Sequence, residues 1–383
     1  MPYPHSSPSS PFTVMLIVPT GIGAAMGGYA GDAMPIARAI AQVADCLITH
    51  PNVLNGAQLY WPMENVLYVE GYGLDQVAMG HWGLRPVRQN RVGLLLDQGI
   101  EPELRLRHLQ AADAARATLG LALTDYVVTD APLGVSLSQA KSGATWGTIQ
   151  RPDSLLRAAE RLITQAGAEA IAVVARFPDE EDSESFSQYR QGQGVDAIAG
   201  AEAVISHLVV RTFHIPCAHA PALAPIAVDP DLSPRAAAEE LGYTFLPCVL
   251  VGLSRAPQFI TSTPLRPGTS SIWANQIDAL VVPETACGGS AVLSLAPTPT
   301  RILTVAENTT TMQAPPEALG LSVLRLQSYM EALGALVALK AGVSLEALRP
   351  QIAAIRPWSQ QVLPQIQGDR PPSGFAPSMA SQP

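Results

Sequence analysis

Residues 13–44, TVMLIVPTGIGAAMGGYAGDAMPIARAIAQVA, begin with an apolar run, cross a glycine-rich loop and end in a segment of helical period. A short run apolar on both faces predicts a strand buried inside a parallel sheet. Gly21, Gly23, Gly27, Gly28 and Gly31 predict a loop, and Asp32 is placed to cap a helix through Ala44. Strand, glycine loop and helix together can offer backbone amides to an anion. The spacing G-x-G-x-x-x-G-G departs from the dinucleotide fingerprint, and the next apolar run, 46–49, meets His50-Pro51 instead of a ribose-binding acid. Two readings therefore stand: an anion-binding loop, or glycines that permit tight turning and close packing.

The same alternation continues outward. CLITHPNVLNG (46–56), VLYVEGYGLDQVAMGHWG (66–83), RVGLLLD (91–97), residues 125–129 and 170–175, ALVV (279–282) and RILTVA (301–306) predict strands, and FLPCVLVGL (245–253) reads as strand-like. Helices are expected over 103–119, 152–166, 233–242, 320–341 and 345–355, whereas 131–148 and the turn-rich 254–271 read as loops. Buried strands alternating with helices predict an α/β fold with a mostly parallel sheet in two subdomains. The expected organisation is a disordered tail over 1–11, an N-terminal α/β domain over 12–150, a C-terminal α/β domain over 151–366 and a second disordered tail over 367–383.

Composition narrows the function. Of 383 residues 14% are charged and 48% hydrophobic, so much surface must be buried or lie in interfaces, and a homo-oligomer is expected. A net charge of −9 without a basic cluster argues against nucleic acid and leaves a small molecule as the expected partner. Four scattered cysteines predict no disulfide framework and a reducing compartment. No apolar run reaches the roughly 18 residues of a bilayer span, and MPYPHSSPSSPF does not read as a signal peptide, so no membrane partner and a cytoplasmic location are expected.

Groups able to do chemistry concentrate in residues 191–222, QGQGVDAIAGAEAVISHLVVRTFHIPCAHAPA. His207, His214 and His219 can supply acid–base chemistry, with Asp196 or Glu202 orienting an imidazole. His214, Cys217 and His219, spaced H-x-x-C-x-H around Pro216, predict a corner for a divalent metal such as zinc; the alternative is packed histidines and a buried thiol. Lys141 is one of two lysines and sits among Ser, Gly and Thr, where it could grip an anion or serve a serine as base, or stand solvated on the surface. Strand-end loops add His50, Asn52, Asn55, Glu70 and Asp75; Gly288, Gly289 and Ser290 could form an anion nest, and Asn308 and Thr309 could bind a ligand. Cys287 is a conceivable nucleophile or a packed thiol.

The leading expectation is an enzyme of hydrolase or lyase type acting on a small phosphate- or carboxylate-bearing metabolite. A second is a nucleotide or dinucleotide binder using the N-terminal glycine loop. The third is a non-catalytic oligomeric metabolite-binding protein. The first requires the imidazoles near 210 and the glycine turns near 25 and 288 to converge on one cavity.

The segments PTGIGAAMGGYAGDAMPIARAIAQVADCLITHPNVLNGAQLYWP, GQGVDAIAGAEAVISH, HIPCAHAPA, VPETACGGSAVL and ENTTTM resemble an uncharacterised domain-of-unknown-function family of cyanobacteria and algae, DUF3326. The likeness spans nearly all of the chain apart from its tails. It implies a photosynthetic-lineage origin and carries no activity or residue role.

Overall fold

In the computed structural model, residues 11–179, 184–241, 245–261 and 271–355 are described. Six strands form a fully parallel sheet in the order Leu324–Leu326, Arg301–Val305, Ala279–Pro283, Thr13–Leu16, Cys46–Thr49, Val66–Tyr68. A second parallel sheet runs Cys217–Ala222, Ala170–Arg176, Val92–Leu96, Val127–Val128. The α/β class with mostly parallel pairing is thus realised twice. Both sheets take strands from either side of residue 150. Residues up to Val343 form one compact unit, and the described part of the next unit holds a short 3-10 turn, Leu345–Leu348, where a longer helix was expected.

One core serves both sheets. Met15, Ile48 and Leu67 from the first and Leu95, Ile171 and Val173 from the second belong to a single cluster of buried side chains. Central strands such as Val14–Leu16 and Val92–Leu96 are buried on both faces, hence their unbroken apolar sequence. Pro221 lies within the strand Cys217–Ala222, which is tolerated because that strand is a sheet edge.

Three local readings change. FLPCVLVGL lies in a helix, Leu246–Arg255, that packs on strands of both sheets. Burial on nearly every side erases its helical period, and Pro247 is harmless in a first turn, where its missing amide has no helical partner to lose. The loop expected over 131–148 contains a hairpin, Val135–Gln139 with Thr145–Ile149. Asp32 does not cap the first helix, which runs Met34–Val43 after Ala33; its Oδ1 instead accepts the Gly27 amide at 2.6 Å. All but Pro11 of the expected N-terminal tail, the expected C-terminal tail and half of the turn-rich stretch, residues 262–270, lie outside the described residues.

Candidate active site

A cavity of about 390 Å³ opens where the strands Thr13–Leu16, Cys46–Thr49, Val66–Tyr68 and Ala279–Pro283 end. Carboxyl ends of parallel strands are where open α/β sheets bind ligands. One wall is the helix Ala199–Phe213, which presents Glu202, Ala203, Ser206 and His207 as one face, while Ala201, Ile205 and Val209 turn into the core. Gly200 seats this helix on the hairpin, since a Cβ there would fall 2.3 Å from Trp146 Cα. The helix ends at His214, whose φ of 55° makes it the one non-glycine residue in the left-handed region among those described. The chain then enters Cys217–Ala222, which brings His219 and Pro221 to the cavity.

Two imidazoles on the wall each meet a carboxylate. Nδ1 of His207 lies 2.5 Å from Oε1 of Glu70, a residue whose other oxygen caps the helix Gly71–Ala78 by accepting the Tyr72 and Gly73 amides. Burial pulls the His207 titration down, but the adjoining Glu70 carboxylate more than offsets it, so its pKa is raised. His219 Nδ1 stands 3.2 Å from Ser206 Oγ and its Nε2 stands 3.6 Å from Glu202 Oε2. A third imidazole, His50, accepts the Val18 amide at 3.0 Å through Nε2, and complete burial lowers its pKa to about 4, keeping it neutral.

The other ionisable side chains of the lining are acidic. Asp75, Asp196 and Glu239 join Glu70 and Glu202, and among the described residues neither Arg nor Lys lines the cavity. Burial, then the charges of Glu239 and Glu202, push Asp196 well above the usual carboxylate range. Glu239 is raised to about 7, chiefly by burial, although the Tyr189 hydroxyl donates to it at 2.5 Å. Burial also raises Asp75, which accepts the Ala291 amide at 3.1 Å. Imidazoles with carboxylate partners beside proton-holding acids can give and take protons near neutrality.

A family model described as Protein of unknown function (DUF3326) matches residues 13–349. The chain belongs to that family. A relative in Synechococcus sp., an uncharacterized lipoprotein, is 62% identical over 338 residues, covering 88% of this chain and 93% of its own. No solved structure matches. Neither comparison assigns this DUF3326 member a reaction.

Of the expected catalytic groups, Asp196, Glu202, His207 and His219 reach the cavity, whereas His214 and Lys141 do not. The His214 ring packs 4.9 Å from that of Trp82, and Lys141 is exposed in the turn of the hairpin. The expected metal corner is not assembled. His214 lies at a helix end, Cys217 is buried in the core with its thiol donating to Ala218 O, and His219 faces the cavity. Among the described residues no three His, Cys, Asp or Glu side chains are placed to hold a metal ion. All four cysteines are free, and burial pushes the Cys287 thiol up to about 11, against a role as nucleophile.

Five amides of the glycine loop are spent on packing. The amides of Ala25, Met26, Gly27, Ala30 and Gly31 donate to Thr309 O, Asn308 Oδ1, Asp32 Oδ1, Glu239 Oε2 and Asn52 O. Gly21, Gly23, Gly27 and Gly28 do not line the cavity; Thr20 and Ala30 do. Gly28 permits a close approach, since its Cβ would fall 2.3 Å from Ala24 O. Asn52 lines the cavity while donating to Gly27 O at 2.6 Å. Gly289 and Ser290 line it and Gly288 does not. Asn308 and Thr309 hold the loop from behind.

Sequence reasoning quoted Glu70, Asp75, His50 and Asn55 as strand-end residues without carrying them into the site. Ser206 carried a usable signal, four residues after Glu202 on a helix. Glu239 arrives on the helix Pro234–Leu241 and has no local mark. Among the described residues no helix is long and apolar enough to cross a membrane.

Proposed function

We propose that the protein is an enzyme that converts a small molecule in this cavity by His- and acid-assisted chemistry of hydrolase or lyase type. One observation carries the reading: His207 with Glu70 and His219 with Glu202 face one cavity at strand carboxyl ends. In place of the phosphate or carboxylate expected from the sequence, a lining that among the described residues has five carboxyl groups and no Arg or Lys favours a neutral or cationic substrate rich in N–H and O–H donors. The nucleotide reading is the weaker one, because five of the glycine-loop amides are already bonded.

The test is turnover of a metabolite mixture followed by mass spectrometry. His207→Gln should slow conversion of the substrate found by about 10²-fold or more in protein that is still folded. Undiminished turnover in that variant overturns the reading.

A cytoplasmic, homo-oligomeric protein remains our proposal for its setting. Exposed Met330 and Val337 on the helix Tyr329–Lys340 support self-association, and four free cysteines accord with a reducing compartment. The name of the Synechococcus relative points instead to a lipid-anchored protein. Cell fractionation decides between the two locations, and light scattering of the purified protein gives its assembly size.

A further inference from the structure

We propose that Ser206 is a nucleophile which, with His219 and Glu202, hydrolyses an acyl ester or amide; the proposal rests on the cavity being the catalytic site. Ser206 Oγ lies 3.2 Å from His219 Nδ1, and Glu202 Oε2 lies 3.6 Å from the other ring nitrogen, an ion-pair separation. All three side chains line the cavity. Glu202 and Ser206 are four residues apart on one helix, and His219 comes from the edge strand beside it, so two rigid elements set the spacing. A weak contact of 3.4 Å to Ala203 O is the other polar contact of the hydroxyl.

The two nitrogens stand in the reverse order from the usual serine-hydrolase arrangement, and the chemistry permits it. One nitrogen takes the hydroxyl proton while the carboxylate on the other stabilises the imidazolium that forms. His207, the next residue on the same wall and held towards its cationic form by Glu70, brings positive charge to the space where an oxyanion would develop.

The steps balance without a further reagent. Oγ bonds to the acyl carbon as its proton passes to His219 Nδ1. The tetrahedral intermediate then collapses, its bond to the leaving oxygen or nitrogen breaks, and that atom takes the proton from His219. Water adds to the acyl-enzyme, giving a proton to His219. The carbon–Oγ bond breaks, Oγ recovers the proton, and a carboxylic acid leaves. Esters or amides whose polar parts donate hydrogen bonds fit the acceptor-rich walls.

The experiment treats the full-length protein with a small fluorophosphonate and maps the adduct by mass spectrometry. One phosphonyl group should appear on Ser206, with labelling at least about 100-fold slower in His219→Gln and absent in Ser206→Ala. Ser206→Cys guards against a folding defect: iodoacetamide should alkylate it quickly, and more slowly once His219→Gln is added. An unlabelled wild type, an adduct elsewhere, or alkylation of Ser206→Cys indifferent to His219 overturns the proposal. If His207→Gln nevertheless abolishes turnover of a cavity substrate, the broader reading stands and this one alone falls.

Discussion

Oε1 of Glu70 stands 2.5 Å from Nδ1 of His207, so the residue that starts one helix sets the charge of a residue on another. Because the folded pKa of His207 is raised, the pair stabilises the fold fully below about pH 6.5, the unfolded value, and that contribution is lost as pH rises through the folded value. In Glu70→Gln the His207 titration followed by NMR should move down. The melting-temperature gap to wild type should be widest near pH 6 and should narrow with rising pH. A gap independent of pH would deny the coupling.

Glu239 has a consequence of the same sign at lower pH. A carboxyl raised by burial from 4.5 to about 7 makes the folded state the stronger proton binder, so stability falls between those pH values and levels off above them. Glu239→Gln should flatten that part of the stability curve, read from urea midpoints across pH. An unchanged slope would place the buried protons elsewhere, on Asp196 first.

Gly31 combines a φ of +83° with a Cβ position 2.1 Å from Asn55 O. Gly31→Ala must move backbone that also carries the Gly31 amide bond to Asn52, and a loss of about 3 kcal/mol or more is expected in chemical denaturation. Gly120→Ala, at a φ of +69° with nothing within 4 Å, should cost about 1 kcal/mol. Equal losses would mean that the glycine loop is not tightly packed against Asn55.

Thiol chemistry checks the placement of the cysteines. Cys217, Cys248 and Cys287 are buried, and burial raises the pKa of each. In the native protein iodoacetamide should leave these three intact, and denaturation should expose all four thiols. Rapid native alkylation of Cys287 would reopen its role as a nucleophile.

A chelator should leave the melting temperature unchanged, because His214, Cys217 and His219 point to different surroundings. His214→Ala should still destabilise the protein by about 1 kcal/mol, through the lost contact with Trp82. A chelator-sensitive melt would restore the metal corner.

Most sheet strands were legible because burial on both faces leaves unbroken apolar runs such as TVMLIVP and VGLLL, whereas the edge strands Leu324–Leu326, inside an expected helix, and Cys217–Ala222 were not. Leu246–Arg255 was misread for the same reason, since a helix buried all round shows no period. The wealth of chemistry in 191–222 pointed to a helix and a strand that line the cavity, and four of the six catalytic candidates reach it. Local spacing failed where distant chain decides the outcome. The glycine-loop amides are claimed by Asn308 and Thr309, some 280 residues away in sequence, and Glu239 enters from a helix whose own sequence marks only its start.

The left-handed turn at His214 fixes how many residues separate the wall helix from His219. In a strand the parity of that count decides which side a residue occupies. One residue added between His214 and Cys217, with the strand's pairing kept from the turn onward, would rotate His219 away from Ser206 and offer its neighbour in its place. The proton acceptor proposed for Ser206 would vanish although every cavity-facing atom of the helix stayed put, making this short connector the narrowest target for an indel that would abolish the proposed chemistry without unfolding the protein.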